Sequence, residues 1–364
     1  MIKQIISLIL LAVSIPMSLS AQQTKILTAE KHNEYGLVYF LPTTVLNVEV
    51  TAEIRTMKRG PYYQYARKFL GTDDVIKNDA SAARITSLKV VPTGVADTEA
   101  SYLMQLKPGA LTYLCVADDG MLLAINKRLD NSQTIRKDGA DQSAQESARS
   151  GKEYLKYVDE DFIASQSSFK QAEMLAESLM EIRESKLELT RGTAETMPVD
   201  GRQMELMLKA LDEQERSIAE AFTGVETKTV VSRTFSFTPD EEGRFTLLRM
   251  SDFAGFVDPD DLSGAPVYIE ISDIIAPDIP VDAKGEEKKI PKDAVIYTLP
   301  GSAMVTITFD GKTLFKDRIE MAQMGMNFGL APALFTDKKQ PSWATFNPVT
   351  GAVDGIGTLT GESE

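Results

Sequence analysis

The chain has 364 residues, with 53 acidic against 39 basic side chains, a formal charge of −14, one histidine and one cysteine. Binding through counter-ion release from phosphates needs clustered Lys and Arg, which makes nucleic acid and anionic membranes poor partners and leaves solubility as the main effect of the charge. A single cysteine closes no internal disulfide, so burial alone must hold a chain long enough for two or more cores.

Residues 1–21 read as a signal peptide. Lys3 supplies the charged start, Ile5 to Val13 a short apolar stretch, and Ser18, Ser20 and Ala21 small residues for cleavage. The expected mature chain begins near Gln22, one unit more negative than the full chain's −14, and is exported to the periplasm, the surface or the medium. An apolar stretch of about nine residues is too short for hydrocarbon, which takes roughly twenty. The expectation is no transmembrane segment and, with Cys115 far from the cleavage region, no lipid anchor.

From 43 to 57, Leu46, Val48, Val50, Ala52 and Ile54 alternate with Asn47, Glu49, Thr51, Glu53 and Arg55, which predicts a strand with one wet face. Pro61 opens a short helix through Tyr62, Tyr65, Phe69 and Leu70, stopped at Gly71. Strands follow at Ile85 to Val91, Tyr102 to Leu106 and Leu111 to Ala117, and the last turns at Asp119-Gly120 into Met121 to Ile125. The polar composition of 131–151 predicts an exposed linker.

Over 152–224 the period becomes helical. Ala172, Leu175, Leu179 and Ile182 form one apolar stripe, and Met204, Leu208, Leu211, Ile218 and Phe222 form a second. Asp200 with Gln203 resembles a capping box, Gly192 and Gly224 are placed as stops, and the short loop between implies an antiparallel hairpin. Strand chemistry returns at Thr227 to Phe237, Phe245 to Met250, Val267 to Ile271, Val295 to Leu299 and Met304 to Phe309, with a final hairpin around Asn347 to Gly351. The fold class expected is α+β, mostly β. An N-terminal β-rich domain (22–130) and a C-terminal one (225–364), sandwich or barrel-like, are separated by the linker and the helical hairpin. Tyr39-x-Leu41-Pro42 and Tyr297-x-Leu299-Pro300 recur, as do Gly120 and Gly351 five residues before Ile125 and Ile356. Two readings stay open, duplication of one β fold and coincidence of short aliphatic strings.

Chemistry is sparse. His32 stands in a polar stretch and reads as a solvated loop residue, while Cys115 in Leu114-Cys115-Val116 reads as a buried small hydrophobe. With one His and one Cys, a zinc site would need to be nearly all carboxylate, which is atypical for that metal. Gly355-x-Gly357 with Gly361 lies too close to the C-terminus for a dinucleotide loop, and Ser167-x-x-Lys170 lacks the companions of an acyl-serine site. Asp258, Asp260 and Asp261 form an acidic turn without the glycine and distal Glu of a calcium loop. Glu173, Glu177, Glu181, Glu184 and Glu188 line one helix face, with Lys170, Arg183 and Lys186 near enough to offset them; this is a solvated face or a docking surface for a basic partner. No catalytic, cofactor-binding or metal residue is assigned.

Tyr39-x-Leu41-Pro42, Thr234 to Gly243 (TFSFTPDEEG), Asp261 to Tyr268 (DLSGAPVY), Tyr297-x-Leu299-Pro300-Gly301 and Ala322-Gln323-x-Gly325 together resemble an uncharacterised family, domain of unknown function 4831. The resemblance implies a full-length secreted member and no activity, since these motifs are turns and strand starts. The function expected is a non-enzymatic envelope interaction or structural protein, with a protein partner engaged through the hairpin. The competing readings are a glycosidase-like hydrolase built on two carboxylates, against which stands the single tryptophan, Trp343, equally a core residue, and carbohydrate or lipid binding without chemistry.

Overall fold

The computed structural model describes residues 36–105, 113–129, 142–144, 151–291, 293–337 and 340–359. His32, the expected signal peptide and most of the expected linker lie outside them. Two long hairpins organise the rest. The first pairs β1 (Gly36–Lys58) with β2 (Ala80–Gln105), and the second pairs β10 (Val295–Phe309) with β11 (Lys312–Leu330).

β1 also pairs with β6 (Val225–Phe237), and β5 (Gln142–Ala144) adds to β6, giving the order β2-β1-β6-β5. In the second sheet β7 (Gly243–Ser251), β8 (Gly255–Val257) and β9 (Ala265–Ile275) join the other hairpin in the order β11-β10-β9-β7-β8. A third sheet runs β13 (Val353–Thr358), β12 (Ser342–Phe346), β4 (Leu122–Ile125), β3 (Leu114–Val116). The short α5 (Ala333–Thr336) bridges β11 and β12.

The first two sheets face each other over Val48, Val50, Ile269, Ile271, Val305 and Ile307, all buried. Further along the same four long strands, Tyr39, Leu41, Met104, Tyr297 and Phe328 pack instead against Leu122, Ile125, Ala344 and Phe346 of the third sheet. The long strands thus serve two cores, and the change comes at the Tyr-x-Leu-Pro motifs. Between Phe40↔Ser101 and Thr43↔Val95 the register advances three residues on β1 and six on β2. Between Thr298↔Asn327 and Gly301↔Met321 it advances the same three on β10 and six on β11. Proline has no N–H for the ladder, so both irregularities fall where a bulge is tolerated. This shared offset supports the duplication reading for the long hairpins. The hairpins differ in their bends: residues 59–79 sit in the first, where the second has only the turn at Asp310-Gly311.

The two crossings are stitched together. The buried Tyr39 hydroxyl donates to the Ile296 carbonyl (3.0 Å) and accepts from the Ile296 N–H (2.7 Å), and burial pushes this phenol well above its ordinary pKa. Gln323 Oε1 accepts from the Thr44 N–H (2.9 Å), while its Nε2 donates to the Thr44 carbonyl (2.8 Å) and the Pro239 carbonyl (2.9 Å). Thr44 Oγ1 donates to the Val349 carbonyl and accepts from the Ala322 N–H, both at 2.9 Å. Backbones approach so closely here that a Cβ on Gly325 would stand 1.9 Å from the Leu299 carbonyl oxygen, and one on Gly94 1.8 Å from that of Pro348.

A third core is helical. Residues 59–79 carry a 3₁₀ turn (Tyr63–Tyr65) and α1 (Ala66–Leu70), ended at Gly71 with φ 70°. They pack on a second 3₁₀ turn (Glu153–Tyr157), α2 (Glu160–Ala164), α3 (Ser168–Arg191) and α4 (Gly201–Thr223) through Tyr62, Tyr154, Phe162, Leu175 and Phe222. An antiparallel helical hairpin between β-rich regions is therefore the architecture found.

Several expectations need correcting. The pairs of strands expected in 85–106 and in 295–309 are each one long strand bent at a bulge. No strand is expected over 312–330, yet β11 occupies it: its outer half is charged (Lys312, Lys316, Asp317, Arg318, Glu320) and its inner half rich in Met, so neither half reads as strand. Cys115 is half-buried on the edge strand β3. The boundaries at 130 and 224 divide the chain but not its packing, because β6 pairs with β1 and β12 with β4.

Gln323→Leu should destabilise the protein by about 3 kcal/mol, since it orphans both backbone groups of Thr44. Gly325→Ala should cost at least as much, whereas Gly201→Ala, at the open start of α4, should be neutral or slightly stabilising. Urea unfolding of the three variants checks the order.

Candidate functional site

The hairpin's ends are set by local chemistry. Ser167 Oγ accepts from the Lys170 N–H (3.4 Å) and caps α3, so the acyl-serine lookalike is a helix start. At the other end Gly192 takes φ 72°, and the Thr193 N–H donates to the Glu188 carbonyl (2.9 Å). Asp200 Oδ1 accepts from the Gln203 N–H (2.7 Å), and Gln203 Oε1 accepts from the Val199 N–H (3.0 Å), close to the capping box expected. Gly224 ends α4 with φ 89°, its Cα so close to the Lys58 carbonyl oxygen that an added Cβ would stand 2.5 Å away.

With 24 and 23 residues, both helices run about 35 Å, and burial changes along them. Near the sheets Ala172, Leu175, Leu179, Ile218 and Phe222 are fully enclosed. In the distal half Met204, Leu208 and Leu211 are half-buried, while Met180, Leu187, Leu206 and Met207 are exposed and Val199 at the tip is 93% exposed. A groove of about 370 Å³ lies between the helices here, lined by Ser185, Glu188, Leu189, Met207, Ala210 and Leu211 among others.

Ion pairs stiffen this half. Lys186 bridges Asp212 and Glu215, the latter at 2.6 Å, and Arg183 Nε meets Glu215 at 2.7 Å. The two cations expected to offset the α3 glutamates reach across to α4 instead, because the inter-helix seam draws them to its flank. Hydrogen bonds from Lys186 and Arg183 hold the Glu215 carboxyl below the usual carboxylate range, and those that Lys186 donates to Asp212 and Glu215 raise the lysine. Glu173 pairs with Lys170 at 2.9 Å; Glu177, Glu181, Glu184 and Glu188 have no ion-pair partner among the described residues.

The other sequence candidates fall elsewhere and do not converge. Trp343 on β12 lies against Gly355 and Gly357 of β13, with the Lys127 ammonium 4.0 Å from a ring centroid, so the glycine pair is a seat for the indole. Asp261 Oδ1 accepts from the Ser263 N–H (2.9 Å), which lowers its pKa, and Arg249 ties the loop by donating to the Pro259 and Gly264 carbonyls. Among the described residues no three His, Cys, Asp or Glu side chains are grouped to hold a metal. No helix among them is long and apolar enough to cross a membrane.

The family model described as a domain of unknown function (DUF4831) matches residues 35–354. The chain belongs to this family. No curated protein and no solved structure matches it. In this DUF4831 member, the motif residues Tyr39, Pro42, Tyr297, Pro300, Gln323 and Gly325 all sit at the strand crossings, and Pro239 joins them by accepting from Gln323. None lies on the hairpin. The signals that locate the groove are the helical period and the glutamate row.

A carboxyl held below its ordinary value near 4.5 contributes stability above that pH and loses it as the pH falls through the lowered value. Glu215→Gln should therefore cost about 1 kcal/mol at neutral pH and flatten the acid limb of the stability curve. Chemical denaturation between pH 3 and 7 would show the difference between variant and wild type shrinking towards acid.

Proposed function

We propose that this protein is a non-enzymatic interaction and structural component of the cell envelope, exported by its first 21 residues and engaging a partner protein through the distal half of the helical hairpin. The observation that carries the reading is the burial gradient. The helices are sealed into a core at their base, while at their far end large apolar side chains are exposed and one of them, Met207, lines a groove. Capping, ion pairs and the close contact at Gly224 give the groove a stiff mount, which suits recognition because little order must be gained on binding. Export is supported by the charged, apolar and small-residue order of residues 1–21.

Leu206→Glu and Met207→Glu change exposed side chains, so unfolding should shift by no more than about 0.5 kcal/mol. Chemical crosslinking in intact cells, followed by recovery of the tagged chain, should yield a defined adduct with the wild type and lose it with either variant. An adduct that persists in both variants sinks the docking role; a chain that fractionates with the cytoplasm and keeps residues 1–21 sinks the export role.

A further inference from the structure

We infer that the groove receives a basic amphipathic helix of the partner, with Lys or Arg seven residues apart set against Glu181 and Glu188; this rests on the docking role proposed above. The groove's floor is apolar (Leu189, Met207, Ala210, Leu211), and Glu188 is one of its lining residues. Glu181 is seven residues earlier, two helical turns along the same flank of α3, so the two carboxylates mark one lip about 10 Å apart. Neither has an ion-pair partner among the described residues: Arg183 and Lys186 stand off the i, i+3 and i, i+4 spacings that bring side chains together on a helix, and both reach across to α4. The opposite lip offers Leu206, 61% exposed, and Glu213, already paired with Arg216.

One lip with two unpaired carboxylates, one with Leu206 beside a carboxylate that Arg216 already neutralises, and an apolar floor match a third helix whose apolar stripe enters the groove and whose cations fall on one side. A second copy of this chain would bring its own glutamate row to an acidic lip. A neutral apolar ligand would make no use of the Glu181 and Glu188 carboxylates.

The test uses the full mature chain and two fluorescein-labelled 21-residue helical peptides with Leu at heptad a and d positions, one with Lys at a single flank position of each heptad and one with Glu there. Fluorescence anisotropy should show the Lys peptide binding at least about tenfold more tightly than its Glu twin, with affinity falling as salt is raised. The double variant Glu181→Lys/Glu188→Lys, checked for unchanged thermal unfolding, should reverse the preference. Equal binding of the two peptides, binding of neither, or an unreversed preference overturns the inference. Sedimentation showing a dimer that competes with the peptide overturns it in favour of a second copy. If Leu206→Glu abolishes the cellular adduct while the charge-reversal variant keeps it, the docking role stands and the basic helix falls; if neither variant affects the adduct, the docking role itself has failed.

Discussion

Each long hairpin must leave one core and enter another part-way along its length, and the molecule depends on how that change is made. A continuous ladder would hold its strands in a single twisted sheet, with one face committed throughout. The excess of three residues on the outer strand, set opposite a proline that has no N–H to offer, breaks that commitment at the same point in both hairpins. Bulged backbone is left with polar groups that water cannot reach. Thr44, Gln323 and the Tyr39 hydroxyl satisfy them across the two hairpins and fix their mutual position.

The remaining elements follow from this. Once the strands cross, their lower halves need a cover, and each hairpin serves as the other's, with β6, β7 and β9 completing the layers. Their upper halves need another, and the short strands on either side of the helical segment combine to supply it, which is why β4 and β12 pair although some two hundred residues of chain separate them. Of the residues that carry the resemblance, Tyr39, Pro42, Tyr297, Pro300, Gln323 and Gly325 gather where these requirements meet. They encode a way of folding, and the surface suited to recognition is built from other residues.

Much of the architecture was legible because it rests on local chemistry. Gly192, Gly224, Asp200 and Gln203 stop and start helices through their own backbone and side-chain atoms, so their roles can be read without the rest of the molecule. Alternation revealed the lower half of β1 for the same reason. What escaped was non-local. β11 is a strand because β10 lies beside it, and its charged outer face hides the period. The irregularities at Pro42 and Pro300 read as strand ends, since a bulge and a stop use the same residues. At the candidate site the glutamate row was visible, but the diversion of Arg183 and Lys186 to Asp212 and Glu215 was not, because it needs the partner helix. The apolar floor escaped too, as stripes meant for a core look alike whether or not the core is closed.

The helical unit is joined to the β body at four points of the chain: before residue 60, after 79, before 151 and at Gly224. β6 leaves α4 directly and runs antiparallel to β1 through thirteen paired positions. Lys58 pairs with Val225 and Met57 with Ala80, so β2, β1 and β6 all enter the helical unit at one end of the sheet, and a load on the hairpin tip reaches three neighbouring strands together.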